Sequence, residues 1–371
     1  MKKILLCVKM PKNNEYVGGI AAIINSYLAN RACFEHHNCS IELINADERF
    51  TSCIPLSPIR TMCYGLLQYH TLKAQCNSGI SNIIHFHTSR SFLYLKDILL
   101  GSFAVKRLDC NVILSIHVGD INTVNRYLPV MLQKLSIHLL NKYFEKVIFL
   151  SNHIRNQFQD AGLNHEKCDI LYNFHDLGKQ TEDSPKKSEC TRLLFMGMIN
   201  RDKGILDLLD AAQICGNEAF TLDIGGTITD ESIREAYTAK KDALGNKITE
   251  WGYVTGAKKR ELFESADVLV LPSYHEGLPL VVMEALATGC AMILTPVGAM
   301  PEILDETNAV WIKPGDIDGL AKAIDELCSD KEKLTQMQET NRKLGEDYSL
   351  EAHIMKLCNI YSSEHAADSA K

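Results

Sequence analysis

Two glutamates eight residues apart, Glu276 and Glu284, lie in the stretch "SYHEGLPLVVMEALATG". A carboxylate cannot help to hold a phosphate, but it accepts hydrogen bonds from sugar hydroxyls. Between the two, Gly277, Leu278, Pro279, Leu280 and Val281 read as the start of a helix. Pro279 suits the first turn, where a missing N–H costs nothing, and Gly289 suits the stop. The unpaired N–H groups of a helix start favour a phosphate. Phosphate donors flanked by acids suit a nucleotide sugar, with the diphosphate at the helix start and the hydroxyls on the carboxylates. The plain alternative is a pair of solvated glutamates.

Three more stretches have chemistry to offer. In "FMGMINRDKGILDLLDA" a strand ends at Gly197, and Lys203 with Gly204 precedes an amphipathic helix. A cation at a strand exit can neutralise a departing diphosphate. Arg201 is a second candidate, and solvated charge is the alternative for both. In "EYVGGIAAIINSYLA" Gly18 and Gly19 follow the first strand, where glycine lets backbone approach a ligand closely. The G-x-G-x-x-G fingerprint is absent, so this is no standard NAD loop; a simple turn is the other reading. Of thirteen histidines, His117 ends "NVILSIH" and His87 ends "NIIHFH", both at strand exits. No His, Cys and Asp set has metal-ligand spacing, so neither metal nor cofactor is expected.

These residues need strands to present them. Nearly all-apolar runs occur at 4–8, 41–45, 82–87, 111–117, 146–151 and 169–173, and helix-length gaps separate them. Such runs fit parallel strands covered on both faces. The pattern pauses in the polar stretch "HDLGKQTEDSPKKSEC" and resumes at 192–197, 220–226, 248–254, 267–273, 291–298 and 309–313. The expected fold class is α/β, two Rossmann-like doubly wound domains facing a cleft. The boundaries expected are 1–175, a linker over 176–191, a second domain over 192–345, and a C-terminal helix and tail over 346–371. That helix could pack back on the first domain.

At 371 residues, 46% hydrophobic and 23% charged, the chain can fill two cores. No apolar run approaches the roughly 18 residues of a membrane span, and "MKKILLCVKM" lacks a signal-peptide core. A cytoplasmic protein is expected. Thirteen scattered cysteines without a C-x-x-C pair read as small buried hydrophobes. Residues 1–175 hold 18 Lys and Arg against 12 Asp and Glu, whereas the remainder is acidic. The basic half could meet the anionic inner face of the plasma membrane or an anionic acceptor, or the imbalance could be scatter. In 125–146, Leu128, Met131, Leu132, Leu135, Leu139 and Tyr143 define one apolar face, with Arg126, Lys134, Lys142 and Lys146 elsewhere. This is a core-facing helix or one that lies on a membrane surface.

The stretch "LPSYHEGLPLVVMEALATG", followed by "TPVGAMPEIL", resembles the E-x7-E motif of the retaining glycosyltransferases of family 4, which have the GT-B fold. The resemblance covers most of the chain and is specific mainly in 192–305. It implies that Glu284 binds the ribose and that Glu276 lies near the donor sugar. It implies that His117 contacts that sugar and that Gly18 and Gly19 face the donor phosphates; His87, at a strand end of the same kind, would line the acceptor side. Backbone around Tyr253 and Val254 would meet the base. Gly197, Lys203 and Gly204 match the family, but Met198 stands where it has an arginine, so Arg201 is left as the substitute. Asn173 matches an asparagine-glycine turn, with Phe174 in place of the glycine.

The implied activity is hexosyl transfer with retention, from a UDP- or GDP-sugar to an acceptor hydroxyl. The acceptor would be a saccharide or a lipid-linked saccharide in bacterial capsule, O-antigen or exopolysaccharide synthesis. Nucleic acid is not an expected partner. A sugar-nucleotide epimerase of the same fold and a catalytically silent subunit of a polysaccharide assembly complex are the alternatives.

Overall fold

Each apolar run becomes a strand in the computed structural model, which describes residues 1–8, 19–44, 57–76, 82–89, 91–108, 110–177, 190–217 and 219–363. In chain order these are β1 Lys2–Cys7, β2 Cys39–Ile44, β3 Asn82–Thr88, β4 Cys110–Ile116, β5 Lys146–Phe149 and β6 Cys168–Ile170, then β7 Thr191–Met196, β8 Phe220–Gly225, β9 Ile248–Gly252, β10 Val268–Leu271, β11 Ala291–Leu294 and β12 Ala309–Trp311. They form two six-stranded sheets, ordered β2-β1-β3-β4-β5-β6 and β12-β11-β10-β7-β8-β9. Every adjacent pair is parallel. Parallel neighbours need crossovers, and helices such as Ser91–Arg107 and Ile205–Ile214 supply them. With helices on both faces the inner strands have no solvent side. Ile4, Leu5 and Leu6 of β1 and Val268 to Leu271 of β10 are accordingly buried.

The chain divides into two compact units, Met1–Tyr172 with Leu350–Lys371, and Asn173–Ser349. The first division falls three residues ahead of the expected boundary because Asn173 is tied into the second unit: its amide donates to the Leu278 carbonyl at 2.6 Å. Most of the linker expected over 176–191 lies outside the described residues. Helix Leu350–Ser362 belongs to the first unit, where Lys2 Nζ donates to the Tyr361 carbonyl at 2.7 Å. Each sheet reverses its strand order once, between β1 and β3 and between β7 and β10. Loops leaving the carboxyl ends of strands at such reversals are where open α/β sheets bind ligands.

Helix Val130–Tyr143 packs much of the face counted from the sequence: Leu132, Leu139 and Tyr143 lie against the core, and Leu128 just ahead of the helix is buried. It buries Ser136, Ile137 and Leu140, and it leaves Val130, Met131 and Leu135 exposed. Pro129 caps the helix, so Val130 and Met131 stand in its first turn. Among the described residues no helix is long and apolar enough to cross a membrane.

Candidate functional site

The order reversal of the second sheet brings the β7 and β10 exits side by side. After β7 the chain makes a short turn, Arg201–Lys203, capped by the Asn200 side chain, which accepts from Lys203 N–H at 3.0 Å. Gly204 follows in the left-handed region, φ +67°, and a Cβ there would stand 2.2 Å from the Pro272 carbonyl oxygen. The turn therefore packs directly on the β10 exit, and Tyr274 N–H donates to the Asp202 carbonyl at 2.8 Å.

That packing aims Lys203 at Glu276. Lys203 Nζ donates to Glu276 Oε1 at 2.5 Å, and Ser273 Oγ donates to the same oxygen at 2.7 Å. The Glu276 side chain is only 7% exposed. Its loop is pinned from the far side at Gly298, φ +63°, where a Cβ would come within 2.1 Å of the Gly277 carbonyl oxygen. Ala299 N–H donates to that carbonyl at 2.7 Å. Gly197 stands at the β7 exit with nothing within 4 Å of an added Cβ, so open space adjoins it.

Helix Leu280–Thr288 spans "LVVMEALAT", and Pro279 is its N-cap in an extended conformation. Leu278 is buried and Val281 half-buried. Gly289 ends the helix at φ +72°. Glu284 is inside the helix and buried. Its Oε1 accepts from Lys259 Nζ at 2.5 Å, whereas its Oε2 is buried with no hydrogen-bond partner. Burial pushes the Glu284 carboxyl up, Lys259 pulls it down, and Asp176 adds a smaller upward push. A buried carboxylate oxygen left unpaired is costly, and a hydroxyl donor from a ligand would satisfy it.

Arg201 and the Tyr253–Val254 pair, the other candidates of this unit, follow the exits of β7 and β9. Arg201 is 66% exposed and leans toward Asp230, Nε to Oδ2 4.0 Å, not toward Glu276. β9 ends at Gly252, so Tyr253 and Val254 follow the strand; Tyr253 is exposed and Val254 half-buried. Lys259 was not singled out from the sequence. It reaches Glu284 from helix Gly256–Ser265, across 25 residues, and no local pattern announces such a pairing. Ser273 had a local signal, the S-x-x-E spacing to Glu276.

The first unit holds the histidines. His87 is the last residue but one of β3, and His117 follows β4, its backbone N–H donating to the Thr88 carbonyl at 2.9 Å. His87 Nδ1 and His117 Nε2 are 2.9 Å apart. His85 is fixed by Ser115 Oγ and the Tyr361 hydroxyl, each 2.7 Å away. His353, from helix Leu350–Ser362, lies 2.6 Å from the Tyr27 hydroxyl. Burial holds His117 down at about 4, and His85 and His353 at about 3. His87 is also held well below its ordinary value, by burial first and then by His85 and its other histidine neighbours. Gly19 opens helix Gly19–Ala29, and Gly18 lies outside the described residues. Among the described residues, no group of three or more His, Cys, Asp or Glu is placed to hold a metal ion.

Residues 178–344 match the family model of Glycosyl transferases group 1. The second unit thus carries a glycosyl transferases group 1 domain. The chain is 32% identical over 142 residues to an uncharacterized glycosyltransferase of Methanocaldococcus jannaschii, covering 37% of this chain and 36% of that one. It is 33% identical over 131 residues to a putative teichuronic acid biosynthesis glycosyltransferase of Bacillus subtilis, covering 35% and 31%. Each alignment thus spans about a third of the relative's length. The crystal structure of Anabaena Alr3699/HepE in complex with UDP matches with a TM-score of 0.74 at 16% identity, covering 98% of this chain and 100% of that one. The two parallel sheets are those of a GT-B glycosyltransferase fold.

Proposed function

We propose that the protein transfers a sugar from a nucleotide diphosphate sugar to an acceptor hydroxyl, with retention, as a family 4 enzyme of hexosyltransferase type. The observation that carries this reading is the unpaired, buried Oε2 of Glu284, in the helix that follows the Lys203–Glu276 pair. Glu284 accepts the ribose hydroxyls. Lys203 and the helix start near Leu280 take the diphosphate, and Glu276 orients the sugar. The bond from the anomeric carbon to the diphosphate oxygen breaks, and the bond to the acceptor oxygen forms on the same face. The acceptor proton passes to a phosphate oxygen of the leaving group. The protein supplies orientation and charge stabilisation, and no metal or cofactor takes part.

UDP bound to the Anabaena neighbour supports a uridine nucleotide, with GDP-sugars the second class to try. The teichuronic acid assignment of the Bacillus subtilis relative supports a cell-surface polysaccharide, such as a capsule or a lipopolysaccharide O-antigen. A lipid-linked acceptor, reached by a cytoplasmic protein resting on the inner membrane face, is supported by a strip on the first unit. Met131 (76% exposed), Val130 (65%) and Tyr127 (64%) lie there beside Arg126 and Lys134. No acidic residue occurs between 121 and 144. Apolar side chains ringed by cations suit an anionic bilayer surface.

A silent binding subunit is the second reading. Met198 in place of the family's arginine favours it, as does Arg201 leaning on Asp230. Thermal shifts against UDP-, GDP- and ADP-sugars, repeated with Glu284→Ala, test the proposal. A stabilising shift by one donor, lost in the variant, is expected. Binding without turnover, even with membrane extract present, would favour the silent subunit. Conversion of the nucleotide sugar without an acceptor would favour an epimerase. No shift with any donor would overturn the site.

A further inference from the structure

We propose that His87 is a positioning residue that holds His117 in the tautomer with its proton on Nδ1, so that His117 presents an N–H donor to a sugar oxygen. The ligand class rests on the function proposed above; the tautomer does not.

The two rings are nearly parallel, 22° apart, with centroids 5.1 Å apart, and His87 Nδ1 lies 2.9 Å from His117 Nε2. Two ring nitrogens at that distance need one proton between them. If both carried one they would repel, and if neither did there would be no bond. Both rings are held neutral by burial, so each has a single N–H to place. Only two arrangements remain. Either His87 donates from Nδ1 and His117 keeps its proton on Nδ1, or His117 donates from Nε2 and His87 keeps its proton on Nε2.

The outer nitrogens decide between them. His87 Nε2 and His117 Nδ1 are both buried without a hydrogen-bond partner. Each arrangement leaves an N–H on one of them and a bare lone pair on the other. A buried N–H without an acceptor is the rarer defect, and an under-used acceptor is better tolerated. His87 is 5% exposed and packs against His85, centroids 4.2 Å apart, whereas His117 is less buried and follows the strand end. The lone pair therefore belongs on His87 Nε2. The N–H belongs on His117 Nδ1, where a ligand oxygen can take it. His85, held by Ser115 and Tyr361, braces the His87 ring in this pose. A ring so enclosed suits a role exercised through His117 better than the acceptor-side contact implied by its strand-end position.

The test is a long-range proton–nitrogen spectrum of the full chain carrying ¹⁵N-histidine, recorded without ligand, with His117 assigned from the signal lost in His117→Ala. Nδ1 and Nε2 shifts separate the two tautomers. Wild type is expected to carry His117 as Nδ1–H. His87→Leu, which removes the donor, should shift His117 toward Nε2–H. His87→Asn, whose side-chain amide stands where Nδ1–H was, should restore Nδ1–H. Turnover should follow, with kcat about tenfold lower in His87→Leu at unchanged KM and recovered in His87→Asn. His117 found as Nε2–H in wild type would overturn the proposal, as would an unchanged tautomer in His87→Leu. If His87→Leu does not fold, the wild-type spectrum still decides. Because the spectrum needs no substrate, an Nδ1–H tautomer in a protein that binds no nucleotide sugar would support the positioning role and overturn only the ligand class.

Discussion

Lys203 Nζ and Glu276 Oε1 stand 2.5 Å apart across 73 residues of sequence, so a cation suited to phosphate and an acid suited to sugar hydroxyls neutralise each other without ligand. Neither is free for a new partner until the other is compensated. A nucleotide diphosphate sugar would do both, with phosphate on the lysine and hydroxyls on the acid. Removing one partner should leave the other charge uncompensated in a half-buried site. Lys203→Met and Glu276→Gln are each expected to lose about 1–3 kcal/mol of stability, and the double variant less than their sum. Unfolding in urea, with and without nucleoside diphosphate, measures the coupling. The ligand should reduce it. Additive losses would mean that the pair contributes nothing.

Glu284 should behave as a binding residue with a titration of its own. Glu284→Ala is expected to weaken nucleotide binding about 10- to 100-fold, the range for a lost hydrogen bond to a charged group. Burial holds the Glu284 carboxyl above the ordinary carboxylate range. The ionised form is the better acceptor, so binding should be full at neutral pH and fall as pH drops through that raised value. Lys259 opposes the rise, so Lys259→Met should move the midpoint to higher pH. Calorimetric titration at several pH values follows it. A midpoint unmoved in Lys259→Met would remove Lys259 from the account.

Most strands were legible because they are parallel and buried on both faces, which makes them nearly all apolar, whereas the edge strand β9 is largely exposed and carries Thr249 and Glu250. The site was legible where its residues are local in sequence. Glu276 and Glu284 share one strand–loop–helix unit, and Lys203 stands one turn after a strand exit. What could not be read was any partner set by tertiary packing. Lys259 meets Glu284 from another helix, and His353 meets Tyr27 across 326 residues. The apolar face counted over 128–143, on helix Val130–Tyr143 and just ahead of it, was right in part: Leu128, Leu132, Leu139 and Tyr143 pack on the core, while Met131 and Leu135 are exposed.

That same helix supports a surface prediction. Because Ser136, Ile137 and Leu140 already face the core, the exposed Val130, Met131 and Leu135 have no packing duty there. Vesicles rich in phosphatidylglycerol should sediment the protein, and neutral phosphatidylcholine vesicles should not. Met131→Glu and Lys134→Glu together should abolish sedimentation without lowering the melting temperature by more than a degree or so, since exposed substitutions of this kind are usually near neutral. Equal binding to both lipids, or unchanged binding by the double variant, would remove the strip as a membrane contact.

The buried histidines predict an acid-sensitive first unit. Burial holds His85 and His353 at about 3 and His117 at about 4, with His87 also well below its ordinary value. In the unfolded chain the same groups titrate near 6.5. Between those limits the unfolded state binds protons that the folded state refuses. Their contribution is therefore fully present above about pH 6.5 and is lost as pH falls toward 4, at about 1.4 kcal/mol per pH unit for each histidine inside the window. Asp97, which burial pushes up, titrates with the opposite sign, but it is one group against four. Melting temperature should fall steadily from pH 7 to pH 5. His353→Gln, a neutral replacement, should cost stability at pH 7 because it loses the contacts to Tyr27 and the Tyr172 carbonyl. The same variant should flatten the slope, since one proton-refusing group is gone. A melting temperature that is level from pH 7 to pH 5 in wild type would mean that these histidines are protonated in the folded protein, and the neutral cluster would have to be abandoned.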